Sequence, residues 1–96
     1  MIEANKIEYW SGIGDSKQVL AAIEKGFDVN QRSEGGYTAL HAAAENNHVE
    51  VIRLLVASGA EINAKVVTGM TPLDMAREAS CDEAVNVLLE LGANSV

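Results

Sequence analysis

The residues that could do chemistry in this chain are few. It contains two histidines, His41 and His48, and a single cysteine, Cys81. His48 and Cys81 follow equivalent stretches of sequence and could supply two ligands to one zinc ion. A structural zinc site takes four ligands at about 2.0–2.3 Å, and the pattern offers no third or fourth. We therefore predict no metal and no cofactor.

Carboxylates offer a second kind of chemistry. Glu45 and Glu78 are 33 positions apart, as are His48 and Cys81, and the two glutamates could form a general acid and base. Such a pair needs a pocket that holds the two groups about 5–9.5 Å apart, and nothing in the sequence builds one. The chain has no glycine-rich phosphate loop and no strained nucleophile elbow. We predict that it is not an enzyme and that both glutamates belong to a charged stripe.

Residues 33 positions apart correspond to each other through most of the chain. A shift that carries His48 onto Cys81 also superimposes identical residues at nine positions of the second half. These are Gly36, Thr38, Leu40, Ala43, Glu45, Glu50, Leu55, Gly59 and Ala60, which fall on Gly69, Thr71, Leu73, Ala76, Glu78, Glu83, Leu88, Gly92 and Ala93. A period of about 33 residues indicates one supersecondary unit stacked several times, each copy burying its neighbour's apolar face.

The middle unit shows its elements most clearly. Thr38 is suited to cap a short first helix, because its hydroxyl can accept an unpaired backbone N–H. A second helix is predicted over about 48–58, and Gly59 would end it in the left-handed conformation. Its apolar residues follow one helical face, namely Val51, Ile52, Leu55 and Val56. The stretch 60–70 has no helical period and is predicted to be an extended finger.

The flanking units repeat this plan with changes. In the last unit Thr71 caps a first helix that begins at Pro72, and a second helix is expected over about 81–91. Its inward residues are predicted to be Val85, Leu88 and Leu89. The first unit is degenerate, with its apolar positions at Ile7, Val19, Ala22 and Ile23 and its stop at Gly26.

Composition narrows the possible partners. The chain carries 14 acidic and 7 basic residues, for a formal charge of −7. This charge repels phosphate backbones and anionic lipids, so nucleic acid and membranes are not predicted partners, whereas a protein with a basic patch is. A lone cysteine suits a reducing compartment, and the first residues lack the pattern of a signal peptide. We predict a cytoplasmic protein.

The motifs together resemble the ankyrin repeat. Thr38-Ala-Leu-His-Ala-Ala-Ala, His48-Val-Glu-Val-Ile-Arg-Leu-Leu-Val and Gly59-Ala-Glu-Ile-Asn match the family pattern in order. The resemblance implies an all-α solenoid of antiparallel helix pairs with hairpin fingers. It divides a single domain, 1–96, into a capping repeat (4–36), a central repeat (37–69) and a second capping repeat (70–96). The chain is thus expected to be a complete small protein.

The resemblance also implies a partner-binding surface at the finger tips and on the exposed side of each first helix. The corresponding residues are Ser33, Glu34, Tyr37, Glu45, Asn46, Val66, Val67, Met70, Glu78 and Ala79. Tyr37 is the predicted anchor, because an aromatic ring buries a large area at low entropic cost. His41 is expected to hold the helix start to the finger. Whether Trp10, Val66 and Val67 are exposed or packed stays open.

These inferences predict a non-catalytic module that binds a partner protein through its concave face. Two alternatives stay open. One is a dedicated inhibitor, or an immunity-type protein that neutralises a basic toxin or nuclease. The other is a structural protein that associates with itself. The favoured state is a monomer, with a homodimer as the alternative.

Overall fold

A computed structural model describes residues 6–94. Three helix pairs follow one another along the chain, and this part of it contains no β-strand. The α-helices are α1 (Lys6–Ile13), α2 (Ser16–Glu24), α3 (Ala39–Glu45), α4 (Val49–Ala57), α5 (Pro72–Glu78) and α6 (Asp82–Glu90), and a short 3-10 helix covers Glu34–Gly36. The two helices predicted for residues 48–58 and 81–91 are confirmed, because His48, Ser58, Cys81 and Leu91 are their capping residues.

The pairs stack into two layers. The first helices, α1, α3 and α5, pack side by side in one layer, and α2, α4 and α6 form the other. The layers enclose a single core that contains Leu40, Ile52, Leu55, Leu73 and Leu88. The all-α solenoid expected from the sequence is confirmed.

Threonine capping boxes begin the first helices of the second and third pairs. The Thr38 hydroxyl accepts the backbone N–H of His41, and the Thr71 hydroxyl accepts that of Asp74. The side chains of His41 and Asp74 in turn accept the backbone N–H of the two threonines. Each box satisfies N–H groups that the helix itself leaves unpaired. The predicted caps are confirmed.

Two segments connect the pairs and project from the helices: the first finger (27–37) and the second finger (60–70). Each tip is closed by a backbone bond, from Ser33 N–H to Tyr37 C=O at 2.8 Å and from Val66 N–H to Met70 C=O at 3.0 Å. The fingers also bond to each other, because Val67 N–H donates to Gly35 C=O at 2.8 Å.

Arg32 strengthens the joint between the fingers. Its Nη1 donates to the carbonyls of Gly36, at 2.8 Å, and Lys65, at 2.9 Å. Gly36 has a φ of +82°, and a Cβ there would lie 3.4 Å from Val66 Cα. Glycine therefore allows the fingers to approach this closely.

The structure corrects one predicted core residue. Leu89, expected to face inward, is 38% exposed, and Ala84, Val87 and Leu88 are the buried residues of α6. At about 100° per residue, Leu89 lies well to the side of the stripe that these three residues form. Trp10, whose position the sequence leaves open, packs against the core with its ring centroid 6.4 Å from that of Phe27.

Candidate functional site: an acidic groove on the first-helix layer

The first-helix layer and the bases of the fingers form a groove made of two adjoining depressions. The larger, of about 540 Å³, lies between α1 and α3, and the smaller, of about 320 Å³, lies between α3 and α5. They share Glu45 and Asn46 of α3, which form a ridge between them. The two depressions and this ridge are called the groove below.

Most of the groove is lined by equivalent positions of the three helix pairs. Three rows, each spaced by the repeat period, run across α1, α3 and α5. These rows are Tyr9, Ala42 and Met75; Gly12, Glu45 and Glu78; and Ile13, Asn46 and Ala79. The repeat that builds the core thus also arranges the groove.

Seven of the ten predicted binding residues line the groove, namely Ser33, Tyr37, Glu45, Asn46, Met70, Glu78 and Ala79. The other three, Glu34, Val66 and Val67, lie at the finger tips and outside the two depressions. Val66 is half-buried, whereas Val67 is 83% exposed. The two valines therefore do not form a single apolar patch.

Tyr37 is held in place on both sides. Its ring stacks on that of His41, with centroids 5.6 Å apart, and its hydroxyl donates to Glu45 Oε2. Burial, reinforced by the hydrogen bond to Glu45 and the charge of that group, raises the pKa of Tyr37 above its usual value. Tyr37 is therefore a wall of the groove that is held by two contacts within the chain.

His41 lies behind this wall and joins α3 to the second finger. The Thr38 N–H points at Nδ1, 3.3 Å away, which assigns the ring proton to Nε2. Nε2 then donates to the Met70 carbonyl at 3.1 Å. Burial lowers the pKa of His41 in spite of the carbonyls of Met70 and Ala64, which favour the charged form. The predicted link between helix start and finger is confirmed.

Glu8 adds a further carboxylate to the wall of the larger depression. Burial raises the pKa of Glu8, the Ser33 hydroxyl opposes that shift by hydrogen bonding, and the negative charge of Glu45 adds to it. The charge of one carboxylate is thus felt by the other. No basic side chain is among the described residues that line the two depressions.

Sequence reasoning missed several lining residues: Glu8, Tyr9, Gly12, Ile13, Ala42 and Met75. Tyr9 and Ile13 are strongly exposed, at 61% and 53%. The signal was available for two of them, because moving Glu45 and Asn46 back by one repeat period gives Gly12 and Ile13. Glu8 has no such equivalent in the groove.

The described residues show no arrangement suited to metal chemistry. Within residues 6–94, no three histidine, cysteine, aspartate or glutamate side chains could hold one ion. His48 and Cys81 instead make equivalent bonds between helix pairs, to the carbonyls of Gly12 at 3.1 Å and Glu45 at 3.5 Å. Over the same residues, no helix combines the length and the apolar character needed to cross a bilayer.

Comparison with known proteins identifies the family. The family model described as ankyrin repeats in three copies matches residues 10–96, and the chain belongs to this family of protein-binding modules. The structure superimposes on the human ASB11 ankyrin repeat domain with a TM-score of 0.88 and 31% identity, over 93% of this chain and 40% of that one.

Two curated relatives are much longer proteins. Alpha-latrocrustotoxin-Lt1a of Latrodectus tredecimguttatus is 41% identical over 69 residues, which are 71% of this chain and 5% of the toxin. The NF-kappa-B inhibitor cactus of Drosophila melanogaster is 39% identical over 64 residues, 66% of this chain and 13% of the inhibitor. The chain thus spans only a small part of these relatives.

Proposed function

We propose that this chain binds, without catalysis, a partner protein that presents a basic surface to the groove. One observation carries the proposal. Three helices together supply acidic and apolar side chains to the groove, and its described lining includes no lysine or arginine. A formal charge of −7 adds long-range attraction for a basic partner.

Each kind of side chain has its own part in this binding. Glu45 and Glu78 steer a basic partner into place, an effect that acts mainly on association rate and specificity. Tyr9 and Ile13 supply apolar area that is exposed in the unbound chain. Apolar area enclosed by a polar rim is the usual composition of an interface centre. Because Tyr37 is already held by two contacts, its own side chain loses little entropy on binding.

The test compares two charge-reversed proteins. The groove variant carries Glu45→Lys and Glu78→Lys, both at exposed positions. The control variant carries Glu24→Lys and Glu50→Lys, at exposed positions on α2 and α4 in the other layer. Both have the same net charge, so they differ in the location of the change and in the loss, from the groove variant alone, of the hydrogen bond between Tyr37 and Glu45.

We expect the groove variant to bind the captured partner about tenfold more weakly or worse, a loss of about 1.4 kcal/mol. The control variant should bind like the parent, and raising the salt should weaken the parent's binding. The measurement is quantitative affinity capture from the native lysate, followed by titration. Equal loss in both variants would show that the groove is not the site.

The same proteins separate the other possibilities. An inhibitor would lower the activity of the captured partner, and that effect should disappear with the groove variant. A self-associating protein would show a mass that rises with concentration, independently of the groove substitutions. These readings distinguish a binding module from its two alternatives.

A further inference from the structure

We propose that the groove takes an α-helical segment of the partner, with two apolar side chains seven residues apart and an arginine or lysine between them. This inference rests on the proposed function and deepens it. It follows from the juxtaposition of two depressions, one acidic ridge and apolar walls at both ends of the groove.

The spacing of the depressions selects the helix. One lies between α1 and α3 and the other between α3 and α5, so their centres are one stacked helix apart, about 8–10 Å. Seven residues of an α-helix rise by about 10.5 Å and return to nearly the same face. Side chains on one face of a β-strand repeat at about 6.6 Å or about 13 Å, and neither distance matches the spacing between the two depressions.

The ridge excludes a second candidate. A polyproline segment also places side chains about 9.3 Å apart on one face, but it has none between them on that face. An α-helix brings a third side chain there, three or four residues after the first. Glu45 on the ridge faces that position, so a basic residue of the partner would meet its carboxylate.

The walls fit apolar anchors at both ends. Tyr9 and Ile13 line the larger depression, and Met70 and Met75 line the smaller one. The methionine side chains can adjust to different apolar groups. Ala42 stands between Tyr9 and Met75 in the same row, and its small side chain leaves room for the body of the partner helix.

A library of random 18-residue peptides displayed on phage tests the inference without a known partner. It is selected in parallel on the parent protein, the groove variant and the control variant defined above. Peptides that bind the parent and the control but not the groove variant are sequenced. We expect the selected peptides to contain leucine, isoleucine or methionine at two positions seven residues apart, with arginine or lysine three or four residues after the first.

The selected peptide that binds most tightly is then synthesised in three altered forms, each with one change. Moving one apolar residue by two positions should weaken binding at least tenfold, and a central proline should do the same. Replacing the basic residue by glutamine should weaken binding severalfold and remove most of the salt dependence. Circular dichroism of the bound peptide should show helix.

The outcomes separate the two proposals. Winners that depend on the groove but carry prolines three apart, or alternating apolar residues, would overturn the helical inference and leave the proposed function standing. A selection in which every peptide enriched on the parent also binds the groove variant would overturn both. A library without any enriched sequence would also count against both.

Discussion

At the scale of single residues, one helix position serves two purposes. His41 and Asp74 occupy equivalent places and close the same capping box. Only the imidazole is also bonded to the following finger, through Nε2 and the Met70 carbonyl. An aspartate side chain is shorter and has no N–H group to donate in that bond. The family pattern predicts the role of His41, but its stacking on Tyr37 depends on finger geometry that no sequence motif specifies.

His41 also makes stability depend on pH. Burial is the largest effect on the His41 ring and lowers its pKa. The charge of the Arg32 guanidinium also lowers this pKa, whereas the charge of the Glu45 carboxylate raises it. The unfolded chain therefore binds a proton more readily than the folded one, and the stability contributed above pH 6.5 is lost as the pH falls below it. We expect the difference in unfolding free energy between the parent and His41→Asn to shrink from pH 7 to pH 5.

Urea unfolding at the two pH values measures that difference, and NMR titration of the ring gives its pKa directly. The carboxylates are common to both proteins, so their contributions cancel. An unchanged difference, or a ring that titrates above 6.5, would contradict this account of His41.

At the scale of elements, the six α-helices of residues 6–94 end in a similar way. A left-handed residue follows closely on each helix, and these residues are Gly14, Gly26, Asn47, Gly59, Ser80 and Gly92. At Gly59, for example, the N–H groups of Gly59 and Ala60 bond back to Val56 and Leu55, at 3.1 and 3.0 Å. This is the Schellman arrangement, which satisfies carbonyls that the helix leaves unpaired.

Asn47 ends its own helix and also caps the helix of the next pair. Its Oδ1 accepts the Ala84 N–H at 3.0 Å, so it caps α6 of the next pair, while its own φ is 62°. Asn47→Gly keeps the backbone conformation but loses this cap, at an expected cost of about 0.5–2 kcal/mol. Asn47→Ala should cost about 1 kcal/mol more, because a Cβ disfavours the left-handed conformation. Thermal and urea unfolding of both variants give the order.

No loss in Asn47→Gly would show that the bond to Ala84 contributes nothing, and the reverse order would contradict the cost assigned to a Cβ in the left-handed conformation. The sequence predicts the glycine stops because glycine is distinctive, but Asn47 and Ser80 carry no such signal. The prediction for Leu89 is wrong for a related reason. Ala84, a true inward residue of α6, is too small to stand out in an apolar pattern.

At the scale of the whole molecule, one core runs through all three helix pairs. Leu55 is fully buried at its centre. Leu55→Ala should lower the unfolding free energy by about 2–5 kcal/mol, since it removes apolar contacts and leaves a cavity. Urea unfolding followed by circular dichroism and by Trp10 fluorescence should show one transition by both probes.

The matched control is Val67→Ala at the exposed finger tip, which should change stability by less than about 0.5 kcal/mol. A near-neutral Leu55→Ala would contradict the packing described above. The stack follows from the repeat period, and most of its core follows from the apolar positions of each helix. The apolar ends of the groove cannot be predicted from the repeat, because Tyr9 and Met75 are different residue types that share only an equivalent position in their repeats.

The bonds between helix pairs have a consequence for how such a chain can lengthen. Asn47 and His48 each bond to an adjoining helix pair and His41 bonds to the second finger, and all three of these partners are backbone groups. A backbone partner is present whatever side chain the neighbour carries. A duplicated copy of residues 37–69 would therefore find its donors and acceptors at both new seams, so the chain could lengthen by one whole repeat.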